Sequence, residues 1–105
     1  MQHSLVSVVV LNWNGKCFLQ QCLASVTKTH YPNLEVVVVD NGSEDGSQSF
    51  VKRFYPNVTL IENKKNLGSA EGNNKGILEA NGKYVVLLNN DTVVNEKWIS
   101  ELLKV

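Results

Sequence analysis

Three runs of the sequence are nearly continuous in valine and leucine: Val6-Ser7-Val8-Val9-Val10-Leu11, Leu34-Glu35-Val36-Val37-Val38-Val39 and Lys83-Tyr84-Val85-Val86-Leu87-Leu88. A strand with one wet face alternates apolar and polar residues. A continuous run suits a strand covered on both faces, as in a parallel sheet. The shorter run Val58-Thr59-Leu60-Ile61-Glu62 is expected at an edge of the same sheet.

Helical segments fall between these runs. From Gly15 to Thr29, the residues Leu19, Cys22, Leu23 and Val26 recur at i, i+3, i+4 and i+7, one face of a helix. Tyr31-Pro32-Asn33 then breaks the chain. Ser43 is expected to cap a second helix, with Glu44 and Asp45 in its first turn and Phe50, Val51 and Phe54 on its apolar face. Tyr55-Pro56-Asn57 ends it. A third helix is expected from about Ser69 to Ala80, with Ile77 and Leu78 facing inward and Asn81-Gly82 as its stop. A fourth begins near Asn95 and packs Trp98, Leu102 and Ile99. Fourfold β-α alternation implies a Rossmann-like, three-layer α/β/α fold with a mainly parallel four-stranded sheet and right-handed crossovers. The 105 residues suffice for one core, so 1–105 reads as a single domain.

Several function classes drop out. Net charge is zero with Lys and Arg scattered, so no nucleic-acid partner is expected. No apolar run approaches the ~20 residues of a membrane helix. Met1-Gln2-His3-Ser4 lacks the features of a signal peptide. Cys17 and Cys22 are the only cysteines, and their spacing suits neither a redox pair nor a zinc pair. They read as reduced thiols of a cytoplasmic chain, with Cys22 in the core. No Gly-rich dinucleotide fingerprint follows the first strand and no P-loop occurs, which disfavours NAD, FAD and P-loop ATP sites.

Ligands of an open parallel sheet bind beyond the carboxyl ends of its strands. The segments that follow the strands are Asn12-Trp13-Asn14-Gly15, Asp40 to Gly46, Asn63 to Gly68, and Asn89-Asn90-Asp91-Thr92. All four are polar, and none is needed to fold a sheet. Asp40 can accept hydrogen bonds from a ribose or base, or serve as turn chemistry in Asp-Asn-Gly. Asp91 can hold a cation that a diphosphate shares, or sit in an ordinary turn. Trp13 can stack on a base or pack in the core. Gly68, Ala70 and Gly72 leave room for a phosphate or for close helix packing.

Together and in this order, these clusters resemble the large inverting glycosyltransferase family with the GT-A fold. That family includes bacterial rhamnosyltransferases and cell-wall or capsule polymer synthases. The matching stretches are Val6–Asn14, Val38–Gly46, Asn66–Gly76 and Leu87–Thr92. The resemblance implies base contacts from Leu11, Asn12 and Trp13, a base or ribose contact from Asp40, and nucleotide contacts from Asn66 and Gly68. Asn89-Asn90-Asp91 takes the place of the Asp-x-Asp motif. Asn89 and Asn90 then lie on the nucleotide, and Asp91 binds the Mg²⁺ or Mn²⁺ that bridges the donor's diphosphate.

The implied ligand is a UDP-, dTDP- or GDP-linked sugar. The acceptor is a saccharide or a lipid-linked saccharide, bound by a further half that also carries the general base. The full-length enzyme would then work in the cytoplasm, at the cytoplasmic face of the membrane. Two departures stand out. Asn89 replaces the first Asp of the motif, and Gly72-Asn73-Asn74 replaces a frequent Ala-Arg-Asn, a variant closer to the rhamnosyltransferase-type members. Asn89 and the missing half also suit an alternative, a non-catalytic nucleotide-binding or scaffold domain. A receiver-type signalling domain would need an acidic pair after the first strand, where Asn12-Trp13-Asn14 stands. A sheet without its second half would expose apolar surface and favour self-association.

Overall fold

Parallel pairing sets Val8 of strand β1 (Val6–Asn12) between Val36 of β2 (Leu34–Asp40) and Val86 of β4 (Tyr84–Asn89). The computed structural model describes residues 3–104. A fourth strand, β3 (Thr59–Glu62), pairs with β2, and the spatial order is β3-β2-β1-β4. The short run is thus at an edge, as its sequence implied. β1 and β2 each reach one residue further than their apolar runs, so Asn12 and Asp40 are register partners at the strand ends. The order reverses between β1 and β4, and in such sheets the ligand crevice opens at that reversal.

Four helices complete three layers: α1 (Lys16–Val26), α2 (Ser47–Phe54), α3 (Ser69–Glu79) and α4 (Trp98–Leu102). Val6, Val8, Val10 and Val38 pack with Leu19, Cys22, Leu23 and Val26 of α1, Val51 of α2 and Ile99 of α4. The alternate residues Val9, Val37 and Val39 form a second, smaller core with Leu11 and Ile61. Each fully buried valine contributes roughly 1.5–3 kcal/mol, so the two valine layers dominate the stabilisation. The two Tyr-Pro-Asn phrases are held differently: Asn33 O accepts from Val6 N of β1, whereas Tyr55 O accepts from Val58 N in a local turn. No helix among the described residues is long and apolar enough to cross a membrane.

The structure corrects four details. Ser43 does not cap α2, which starts at Ser47 behind a left-handed Gly46. Glu44 and Asp45 lie in the loop before it. Ile77 and Leu78 do not face inward, and Leu78 is 84% exposed. The buried face of α3 is instead Gly72 and Gly76, one turn apart. A Cβ on Gly76 would lie 2.3 Å from Val9 Cγ1 and 2.9 Å from Val39 Cγ2. The helix backbone therefore rests on the valines directly, which Ile77 would prevent. In α4, Ile99 is buried and Leu102 exposed. Finally, β4 is not covered on both faces. Its Val85 and Leu87 share the α3 side of the sheet, yet α3 lies over β1 and β2.

At the amino end of the strands, Glu35 clasps the sheet. Its carboxylate accepts from the Ser7 hydroxyl and from both the backbone and side-chain amides of Asn81. Partial burial pushes the Glu35 carboxyl up, but these hydrogen bonds outweigh it and hold the group below its usual value.

Candidate functional site

Strand geometry alone brings the polar segments together, because parallel strands end on the same side of a sheet. Asp40 is 1% exposed and carries four hydrogen bonds. Its Oδ1 accepts from Asn12 Nδ2 at 2.9 Å and from the Ser43 hydroxyl at 2.7 Å. Its Oδ2 accepts from Ser43 N and from Gln48 Nε2, both at 2.8 Å. A buried carboxylate is tolerable only with such partners. Asp40 thereby orders the loop between β2 and α2.

Asn12 is equally buried and joins three strand ends. It donates to Asp40, and its backbone carbonyl accepts from Asn41 N at 2.8 Å. Its Oδ1 accepts from Asn90 Nδ2 at 2.8 Å, across the reversal between β1 and β4. Gly15 lies directly under that bond. A Cβ there would stand 2.3 Å from Asn90 Nδ2 and 2.9 Å from Asn12 Oδ1.

The loop after β1 is held from the other side. Asn14 adopts a left-handed φ of 47°, which asparagine tolerates. Its N–H donates to the Ser43 hydroxyl and its Oδ1 accepts from Glu44 N. Asp45 accepts from Lys16 N and from Ser47. Slight burial raises the Asp45 carboxyl, but the hydrogen bonds from Ser47 and Lys16 outweigh it and leave it low.

The end of β3 joins through Asn63, whose Nδ2 donates to Asn41 Oδ1 at 2.9 Å. Asn41 in turn donates to Gly68 O, and Asn66 Oδ1 accepts from Gly68 N. Gly68 has a φ of 85°, and nothing lies within 4 Å of where its Cβ would be. A hollow of about 410 Å³ opens beside Asp40, lined by Gly42, Ser43, Glu44, Gln48, Asn63 and Lys64. A larger one of about 800 Å³ lies between α1 and the segment after β4, and no residue of the strand-end network lines it.

Of the residues singled out from the sequence, Asn12, Asp40 and Asn90 form one network. Trp13 is 53% exposed at its rim, so it is no core residue. Leu11 turns instead onto Gly72 under α3. Asn66 and Gly68 form the lip of the β3 side. Asn89 and Asp91 are exposed on the β4 side. Gln48 and Gly15 carried no motif signal, and only the coordinates bring them in.

Asp91 differs from Asp40. Its carboxylate makes no side-chain hydrogen bond or ion pair among the described residues, and its charge reaches Cys22. Burial, with Asp91 adding, pushes the Cys22 thiol up to about 11. No three His, Cys, Asp or Glu side chains gather into a metal cage among the described residues. One free, exposed carboxylate fits a cation whose other oxygens come from a ligand and water. One strand separates β2 from β4, and neighbouring strands lie about 4.8 Å apart. The ends that carry Asp40 and Asp91 are thus roughly 10 Å apart, on either side of β1.

Residues 7–105 match the model of Glycosyl transferase family 2. Among curated relatives, Glycosyltransferase GlyG of Streptococcus pneumoniae is 33% identical over 93% of this chain and 34% of its own length. Glycosyltransferase AglE of Haloferax volcanii is 33% identical over 90% of the chain and 33% of its length. The mannosyltransferase PcManGT of Pyrobaculum calidifontis, solved with GDP-Man and Mn²⁺, superposes with a TM-score of 0.92 at 29% identity. That match covers 99% of this chain and 32% of the mannosyltransferase. S. aureus TarS 1–349 with UDP-GlcNAc gives 0.87 at 25% identity, covering 95% of this chain and 30% of that one. The chain therefore spans about a third of the length of these proteins, and its fold is that of the amino-terminal part of GT-A glycosyltransferases.

Proposed function

The chain belongs to glycosyl transferase family 2, and from that premise we propose that it is the donor-binding part of a nucleotide-sugar-dependent, inverting transferase. The carrying observation is the pairing of a buried, loop-ordering Asp40 with a free, exposed Asp91, which follow strand ends on either side of β1. One end suits a nucleoside and the other suits its diphosphate. Trp13 offers an exposed ring for stacking on the base. Asn66 and Gly68 bound the open space where backbone amides can approach the ligand.

Asp91 would hold Mg²⁺ or Mn²⁺, with Asn89 hydrogen-bonding ribose or metal-bound water. Such a cation offsets the charge that develops on a departing nucleoside diphosphate. PcManGT, whose complex holds GDP-Man and Mn²⁺, supports this reading by its likeness. Superposition on proteins with GDP- and UDP-linked donors leaves the base as the variable to measure. The likeness of Gly72-Asn73-Asn74 to the rhamnosyltransferase-type members points to a deoxysugar donor, whose base the same panel would identify. The acceptor site and general base lie outside this chain in this proposal, so the chain binds donor and transfers nothing by itself.

Titration calorimetry with UDP, dTDP and GDP, each with and without Mn²⁺, tests the proposal. We expect one of them to bind, more tightly with Mn²⁺, and Asp91→Asn to abolish the metal-dependent gain. A folded chain that binds none of them overturns it. Asn89, which leaves a single carboxylate at the end of β4, favours a second reading: a binding module without catalysis. Nucleotide binding with no response to Mn²⁺ would support that module.

A further inference from the structure

Asn12 and Asn90 both stood among residues that could touch the nucleotide, yet their side chains face each other. Asn12 is 1% exposed and spends both ends of its amide within the protein. Its donor goes to Asp40, 2.9 Å away, and also reaches the Ser43 hydroxyl at 3.4 Å. Its acceptor takes Asn90 Nδ2 at 2.8 Å. An amide does both, from two atoms held at a fixed separation. Asp40 is acceptor-only, so residue 12 must donate to it. Asn90 presents an N–H₂, so residue 12 must also accept. Gly15 keeps the space clear, since any Cβ there would collide with both partners of the Asn12–Asn90 bond.

The bond also sits at a consequential place. β1 and β4 flank the reversal of strand order, and the Asn12–Asn90 bond adds a side-chain link to the strand ladder there. Asn90 immediately precedes Asp91. Fixing the Asn90 side chain fixes the turn from which the Asp91 carboxylate projects. We propose that Asn12 and Asn90 are positioning residues that tie the loop ordered by Asp40 to the carboxylate of Asp91, so that the nucleoside and metal ends of the site are held in one geometry. This rests on the donor-binding reading above, and it reassigns both asparagines from ligand contact to the support beneath it.

The expected consequence is selective. Asn90→Ala removes the bridge from the Asp91 side alone. It should cut the Mn²⁺-dependent gain in nucleoside diphosphate affinity about tenfold, the usual scale for a group that orients a metal ligand. Metal-free affinity should stay within about twofold. Asn12→Ser loosens both ends and should lower both affinities. Because the two residues act through one bond, the Asn12→Ser/Asn90→Ala double variant should lose no more of the Mn²⁺ gain than Asn12→Ser alone. A wild-type Mn²⁺ gain in Asn90→Ala, or additive losses in the double variant, overturns the proposal.

A second measurement stands apart from nucleotide binding. In ¹⁵N-labelled ligand-free chain, Asn90→Ala should shift the backbone amides of Asp40 and Ser43 and leave those of Glu35 and Asn81, at the opposite end of the sheet, unmoved. Unmoved Asp40 and Ser43 signals overturn the tie. If these signals move while no nucleotide binds the wild-type chain, the donor-binding reading fails and the tie between the two asparagines survives.

Discussion

Gly76 of α3 lies so close to Val9 of β1 that a Cβ on the glycine would approach the valine Cγ1 to 2.3 Å. Two effects oppose each other in Gly76→Ala. Alanine improves helix propensity by about 1 kcal/mol, while overpacking a dense layer costs about 1–3 kcal/mol. Val9 and Val39 are themselves fully buried and have nowhere to retreat. We expect a net loss of up to about 2 kcal/mol in denaturant unfolding. Lys75→Ala, on the exposed side of the same helix, should stay within about 0.5 kcal/mol of wild type.

Asp40 gives a test of whether an acid proposed to serve the nucleoside end also holds the fold. Asp40→Asn turns one oxygen into an N–H₂ that must confront two of the four donors now satisfied. Buried polar groups left unmatched cost about 1–3 kcal/mol each. Urea titration should therefore show a loss of at least about 2 kcal/mol. An Asp40→Asn chain as stable as wild type would show that the network contributes little.

Cys22 and Cys17 should separate cleanly by reactivity. Cys17 is exposed and Cys22 buried. At pH 8 iodoacetamide should modify Cys17 alone in the folded chain. The Cys22 thiol is raised from 9.0 to about 11, first by burial and then by Asp91. Its folded value lies above its unfolded one, so the stability it contributes is intact below pH 9. That stability is lost as pH rises towards about 11. Asp91→Asn lowers the folded value, so it should shift the end of this decline to lower pH and make the total loss smaller, and saturating Mn²⁺ should do the same if the cation sits on Asp91. Melting temperatures across pH 8–11 would reveal either shift.

Val85 and Leu87 predict association. They lie on the α3 side of β4 but beyond the cover of that helix, beside an outer strand edge that no other strand pairs with among the described residues. We expect light scattering to show concentration-dependent self-association of the isolated chain. Leu87→Lys should weaken it about tenfold or more, the worth of burying one leucine. A chain monomeric at every concentration would show that this surface is not adhesive.

The frame was legible in the sequence because valine runs leave little choice of partner. Val6–Val10 and Val36–Val39 demand cover on both faces, and the β-α alternation supplies it. The polar clusters were legible for the same reason: once strands run parallel, Asn12, Asp40, Asn66 and Asn89 must end on one side. What stayed hidden depends on spacing between distant side chains. Ser43 has the chemistry of a cap, but Asp40 and Asn14 claim its hydroxyl. Ile77 and Leu78 are apolar, but the two glycines permit a closer approach on another face. Gln48 and Gly15 serve through atoms brought from eight and seventy-five positions away, and no local pattern records that.

Gly68 carries a last consequence, one of handedness. With φ 85° and ψ 169°, its backbone lies where an L-residue is strained, while the space beside it is open. Volume does not select the glycine; chirality does. The mirror residue, D-alanine, would adopt this conformation without strain, its methyl group replacing the other α-hydrogen of the glycine. A chain assembled with D-alanine at position 68 would thus keep its turn, whereas L-alanine would strain it despite the open space beside it. In this one position the fold demands a handedness and not a volume, and stereochemistry is the tool that separates the two.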